Sequence, residues 1–151
     1  MKKAIAIFVS LLCAAGMTLT FTACGGGSGN YKDGTYEGRS QIHTNDEEEG
    51  SGDGYGVVNI TIKDNKITAC TFKTYEEDGT LKDSNYGKVR GQVANADYYN
   101  KAQKALKAAD EYAKQLVEAG SLDGVDAISG ATINFEEFNE AVQDALDKAE
   151  E

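Results

Sequence analysis

The order of apolar and polar positions divides the chain before any chemistry is considered. Val58, Ile60 and Ile62 alternate with Asn59, Thr61 and Lys63, the period-two pattern of a strand with one buried face. Asp64-Asn65 follows, two residues that tolerate positive φ as a tight hairpin requires, and Ile67 to Phe72 returns as the partner strand. Upstream, Thr35 to Ile42 reads as a further strand after Asp33-Gly34. Downstream the period becomes helical. Tyr98, Ala102, Ala105, Ala109, Tyr112 and Leu116 recur at spacings of four and three and form one apolar stripe. Leu106, Ala113 and Val117 widen it, and Gly120 supplies the stop. A second helix is expected from Asn134, whose side chain caps the start while Glu137 reaches back; Phe135, Phe138, Val142, Ala145 and Ala149 give its buried stripe. The segment from Glu76 to Gly91 is polar and irregular, and no internal repeat is visible. The sum is an α+β domain, a small antiparallel sheet packed against two amphipathic helices.

The N-terminus has a different pattern. Lys2 and Lys3 precede an apolar stretch from Ala4 to Ala23, which ends in Thr22-Ala23-Cys24 and opens into Gly25-Gly26-Gly27-Ser28-Gly29. A charged start, an apolar middle and small residues before a cleavage point describe an export signal and not part of the fold. The residues before Cys24 resemble a bacterial lipobox, which implies that Cys24 takes a diacylglycerol thioether and becomes the mature N-terminus. The Gly-rich run after it gives the slack that a lipid-anchored domain needs. The expected organisation is therefore a signal peptide over 1–23, a lipidated cysteine and flexible tether over 24–30, and one domain over 31–151. An uncleaved N-terminal helix is the alternative, since the apolar run is almost long enough to span a bilayer. Both readings place the domain on the extracytoplasmic face of the bacterial cell membrane.

Composition narrows the function further. The chain has 151 residues, with 15 Lys+Arg against 25 Asp+Glu and a formal net charge of −10. That length suits one domain. The acid excess argues against a nucleic-acid partner, which needs a basic surface, and against docking on membranes through a polybasic patch. Three cysteines make no disulfide framework, and Cys70 reads as a small buried hydrophobe. His43, the one histidine, has no clustered Cys or His partners for zinc or haem and is expected to be exposed beside an acidic loop. That loop, Asp46 to Gly54, lacks the ligand spacing of an EF-hand and reads as solvated.

Chemistry concentrates between the helices, in Asp126-Ala127-Ile128-Ser129-Gly130-Ala131-Thr132. The run is a short loop entering a helix N-terminus, with the Thr132 hydroxyl two residues before the expected cap. The first N–H groups of a helix lack intrahelical partners and its dipole is positive there, so a phosphate on Thr132 would occupy a natural anion site. Gly130 lets the backbone approach a bulky group, and Asp126 is placed to cap the turn or to help bind a metal while an ester forms.

This run resembles the flavinylation motif of the FMN-binding domain family, in which Asp, two variable residues, Ser or Thr, Gly, Ala and Thr stand in that order. The family includes the G subunit of Rnf-type electron-transport complexes, the C subunit of the sodium-pumping NADH:quinone oxidoreductase, and small exported lipoproteins. The likeness extends to Tyr31-Lys32-Asp33-Gly34-Thr35-Tyr36-Glu37-Gly38, to Thr61–Ile67 and to the helix carrying Ala141-Val142 and Ala145-Leu146, and so covers roughly residues 31 to 148. It implies FMN joined to Thr132 by a phosphoester, placed there by a flavin transferase that uses FAD and a divalent metal. Asp126, Ser129, Gly130 and Ala131 are then recognition residues. Members often carry Thr-Ser one residue beyond the acceptor, where this chain has Asn134-Phe135 after Ile133.

The implied role is electron transfer by a membrane-anchored flavoprotein, a carrier and not an enzyme in its own right, working with membrane electron-transfer partners. The other readings are a surface lipoprotein that holds FMN non-covalently, or one that binds another small ligand with no redox role. Tyr86, in the irregular segment, is a candidate to stack on the flavin or is an ordinary loop tyrosine. Lys88 and Arg90 are candidates to neutralise phosphate or reduced flavin, or a solvated pair. Tyr98, Tyr99 and Tyr112 are expected in the core.

Overall fold

The hairpin forms where the alternation places it. In the computed structural model, which describes residues 30–44 and 53–150, β2 (Tyr55–Lys63) and β3 (Lys66–Tyr75) pair antiparallel, with Tyr55 opposite Tyr75 and Lys63 opposite Lys66. Asp64 and Asn65 turn at φ 51° and 59°, the positive pair that a type I′ turn needs. The register slips between Thr61 and Ile62. Thr68 is the extra residue, and its hydroxyl donates to the Thr61 carbonyl at 3.1 Å. This bulge changes the parity of β3, so that Ile67 and Phe72 both reach the core.

Strand β1 (Gly34–Arg39) adds antiparallel to β2, with Gly34 opposite Ile62, and the sheet runs in the order β1-β2-β3. It ends sooner than the expected Ile42. Past Arg39 the Ser40 hydroxyl takes over, accepting from the Gly56 N–H at 2.9 Å and donating to the Gln41 carbonyl at 2.7 Å. The regular ladder is interrupted there and resumes only as a single bridge of His43 with Gly54, and Ile42 is left exposed. The expected signal peptide, Cys24 and tether up to residue 29 lie outside the described residues, as does the acidic loop from 45 to 52.

Helix α1 (Ala96–Ala119) is capped by Asn95, whose side chain accepts from the Tyr98 N–H, and is closed by Gly120 at φ 74°. It lies over β3, while α2 (Thr132–Glu150) lies over β1 and β2. Both cover the face of Val58, Ile60 and Ile62. Phe138 is the centre of the core: fully buried, it meets the Phe72 ring edge-on at 5.0 Å and stacks on Tyr112 at 5.6 Å.

Helix α2 comes closest to the sheet at Gly38, where a Cβ would overlap the Ala141 carbonyl and sit 2.6 Å from the Ala145 nitrogen. The same helix covers the outer edge of β1. Asp144 accepts from the Arg39 N–H at 2.8 Å, Glu140 accepts from the Gln41 N–H at 2.9 Å, and Lys148 donates to the Glu37 carbonyl at 2.8 Å.

The start of α2 departs from expectation. The Phe135 N–H donates to the Ala131 carbonyl at 3.0 Å, so Ala131 holds the cap position and Thr132 is the first helical residue. The Asn134 amide donates instead to the Ala105 carbonyl of α1 at 3.3 Å, and Glu137 is turned into the interior. No capping box forms, because Asn134 is bonded to α1 and Glu137 is buried against the sheet.

Candidate functional site

The motif folds as a turn fastened at both ends. The Ala131 N–H donates to the Ile128 carbonyl at 3.0 Å, enclosing Ser129 and Gly130, and Gly130 takes φ 81° as the left-handed position of the turn. One buried hydroxyl holds both sides. Tyr112 accepts from the Ile128 N–H at 3.0 Å and donates to the Ala131 carbonyl at 3.2 Å. Just upstream, the Asp126 N–H donates to Gln115 at 2.8 Å, so α1 supplies two side chains that position the segment.

Thr132 follows directly and is exposed, as are Asp126, Ser129 and Gly130, while Ala131 is buried as the anchor of the turn. The N–H groups of Thr132, Ile133 and Asn134 belong to the first helical turn and have no intrahelical acceptor. The Lys104 ammonium lies at the same place, 3.3 Å from where a Cβ on Gly130 would stand. An exposed hydroxyl, outward N–H groups and a neighbouring cation fit a phosphoester. The Asp126 carboxylate, expected as a cap, has no hydrogen-bond or ion-pair partner among the described residues, and no cluster of His, Cys, Asp and Glu able to hold a metal occurs among them.

Tyr86 belongs to another neighbourhood. Its hydroxyl accepts from Tyr98 at 3.2 Å, and the Lys82 ammonium stands 5.2 Å from its ring. Tyr98 and Tyr99 are half-buried and fasten this irregular segment to α1, Tyr99 by donating to the Ser84 carbonyl at 3.2 Å; they are not the core residues the stripe suggested. Lys88 donates to Asn85 at 3.2 Å and lies 5.6 Å from the Tyr99 ring, and Arg90 occupies a positive-φ turn position, so neither joins the motif. His43, expected exposed, is partly covered and lies 3.1 Å from Glu140 of α2. Cys70 is partly buried, and burial pushes its thiol up to about 12, which makes it unreactive at neutral pH.

Two buried charged residues escaped the sequence reading. Glu137 is 0% exposed and Lys82 is 8% exposed. Burial pushes the Glu137 carboxyl up to about 7 against the opposing pull of Lys82, and burial likewise draws the Lys82 ammonium down. A signal for Glu137 existed, since it falls one turn before Ala141 and two before Ala145 on the buried row. Nothing comparable marks Lys82 or Lys104.

The turn and the exposed threonine that opens α2 lie within the span that the comparisons match. The sequence model of the FMN-binding domain matches residues 51–147, well over half of the chain. The chain belongs to the FMN-binding domain family. It is a flavin-binding protein, and the matched span contains the whole motif from Asp126 to Thr132. No curated protein matches the chain. Among solved structures, the crystal structure of the CPE2226 protein from Clostridium perfringens is similar at 21% identity with a TM-score of 0.56, covering 79% of this chain and 88% of that one. At that identity the likeness speaks for the fold alone.

Proposed function

We propose that this FMN-binding domain carries FMN covalently on Thr132 and serves as a lipid-anchored electron carrier on the extracytoplasmic face of the cell membrane. The observation that supports the covalent link most directly is the exposed Thr132 hydroxyl at the first position of α2, beside Gly130 and the Lys104 ammonium. In the transfer, the Thr132 oxygen forms a bond to the FMN phosphorus of FAD, the bond to the AMP half breaks, and the hydroxyl proton passes to a base of the transferase. Lys104 and the first N–H groups of α2 then hold the phosphate charge. Tyr112 and Gln115 keep the acceptor segment in one geometry for the transferase to recognise. Bound FMN supplies the redox chemistry, and the protein supplies orientation and electrostatics.

A covalent link suits an exported carrier, because a cofactor lost outside the cytoplasm is not replaced from the internal pool. The net charge of −10 favours electron-transfer partners with basic docking surfaces. The test is intact mass of the chain exported with and without a flavin transferase. The expected result is a transferase-dependent gain of one FMN less a water, absent in Thr132→Ala. Yellow protein without a mass gain identifies non-covalent FMN, and colourless protein in both cases overturns the reading. Anchoring is tested with Cys24→Ser, which is expected to release the domain from the membrane fraction; retention with unchanged gel mobility identifies an uncleaved helix instead.

A further inference from the structure

The row of α2 that faces the sheet holds one residue foreign to an apolar interface. Glu137 is fully buried, and neither carboxylate oxygen has a hydrogen-bond partner among the described residues. Lys82 faces it from the segment after β3. Two glycines make the room. A side chain at Gly56 would press on the Phe72 ring and the Glu137 Cβ, and one at Gly54 would meet the Lys82 ammonium at 2.8 Å. Thr74, 2% exposed with its hydroxyl unpartnered, completes a buried polar cluster. His43 from the segment after β1 and Glu140 of α2 also act on the carboxyl, while Asp53 and Glu76 act on Lys82.

Removing one of two mutually attracting buried charges leaves the other uncompensated, and an aliphatic pair of the same volume packs at least as well, so stability is a poor reason for this cluster. Its location suggests another. Glu137 stands five residues beyond Thr132 on the same helix, about 7.5 Å along the axis, and Lys82 reaches on to Tyr86. Thr132 is exposed and Glu137 is buried, so a charge held at the start of α2 and the carboxylate are separated by little more than one helical turn of protein. That is near enough for them to act on one another at the effective dielectric of a protein site.

We propose that Glu137 is a redox-linked proton acceptor, taking one proton from water when electrons arrive at a flavin held on Thr132 and returning it on reoxidation. The inference rests on the covalent-flavin reading above. Electrons come from an external reductant, an O–H bond of solvent breaks as one forms at a Glu137 carboxylate oxygen, and no bond between Glu137 and the flavin is made or broken. The protons that the flavin itself takes on reduction are additional. The added negative charge raises the proton affinity of the carboxylate. Uptake is therefore confined to pH values at which Glu137 is ionised before reduction, above about 7. Lys82 sets that boundary by favouring the carboxylate.

The experiment uses the full flavinylated chain, loading verified by mass, with an electrode as electron source. The flavin midpoint potential is followed against pH, and a reduced-minus-oxidised infrared difference spectrum is recorded. Above neutral pH the wild type is expected to take up one more proton per reduction than Glu137→Gln, and to gain a protonated-carboxyl band that the variant lacks. Lys82→Met is expected to move the onset of that uptake to higher pH, which a packing role would not do. The infrared band is read in the wild type, so the test does not depend on Glu137→Gln folding. A loaded chain with the same pH dependence in wild type and Glu137→Gln, or with no carboxyl band on reduction, overturns the proposal alone. A chain that takes no FMN adduct overturns the covalent reading and this inference together.

Discussion

The Tyr112 hydroxyl joins the core to the turn before α2, with its ring among Phe135 and Phe138 and its oxygen on the Ile128 N–H and the Ala131 carbonyl. Tyr112→Phe keeps the ring but leaves the Ile128 N–H without its acceptor and removes one of the two donors to the Ala131 carbonyl. A loss of about 1–3 kcal/mol in urea denaturation is expected, with slower flavin loading because the turn is no longer held. Stability unchanged within error would show that water replaces the hydroxyl. The helical stripe placed Tyr112 inside correctly, since its spacing puts it on the face that α1 turns to the sheet. It could not say what the oxygen bonds, because Ile128 and Ala131 reach it only through the crossing of the chain. The same limit applies to Tyr98 and Tyr99, which share the spacing but meet a polar loop at the open end of the helix.

Among the elements, β1 and α2 are the most closely fitted. The Gly38 backbone lies against Ala141 and Ala145, and the charged side chains of α2 satisfy the strand edge that β1 would otherwise leave open. Gly38→Ala forces α2 off the sheet and is expected to destabilise by about 1–3 kcal/mol, as overpacking does. Thermal unfolding measures it, and an unchanged midpoint would mean that the helix slides without loss. The hairpin was fully legible from alternation and the Asp64-Asn65 pair, both local properties. The Thr68 bulge was not, because parity in β3 is set by which side chains the helices accept. The start of α2 moved from Asn134 to Thr132 for a similar reason. A side chain that can cap locally is recruited by Ala105 once α1 is beside it.

Over the whole molecule, the buried Glu137 sets the pH response of stability. Its carboxyl titrates near 4.5 when unfolded and at about 7 when folded. Between these values the folded state holds more protons than the unfolded one, so stability falls as pH rises through the interval and levels off above it. The contribution present at the acid end is up to about 3 kcal/mol. Asp144 acts in the opposite sense. A hydrogen bond from the Lys148 side chain holds its carboxyl low, so its support is present above the ordinary carboxylate range and is lost on further acidification. Urea midpoints from pH 4.5 to 8 are expected to fall in the wild type and to stay nearly level in Glu137→Gln. A level wild type would place the carboxyl in contact with water.

The sequence by itself determined the α+β class, the hairpin turn, the apolar stripe and end of α1 and the run from Asp126 to Thr132, since periodicity, turn chemistry and motif spacing are properties of neighbouring residues. Only the tertiary structure decided that Tyr112 and Gln115 fasten that run, that Lys104 stands beside Gly130, and that the charges of Lys82 and Glu137 act on one another inside the fold. Each of those arrangements joins residues distant in the chain, and their distances are fixed by how the helices settle on the sheet.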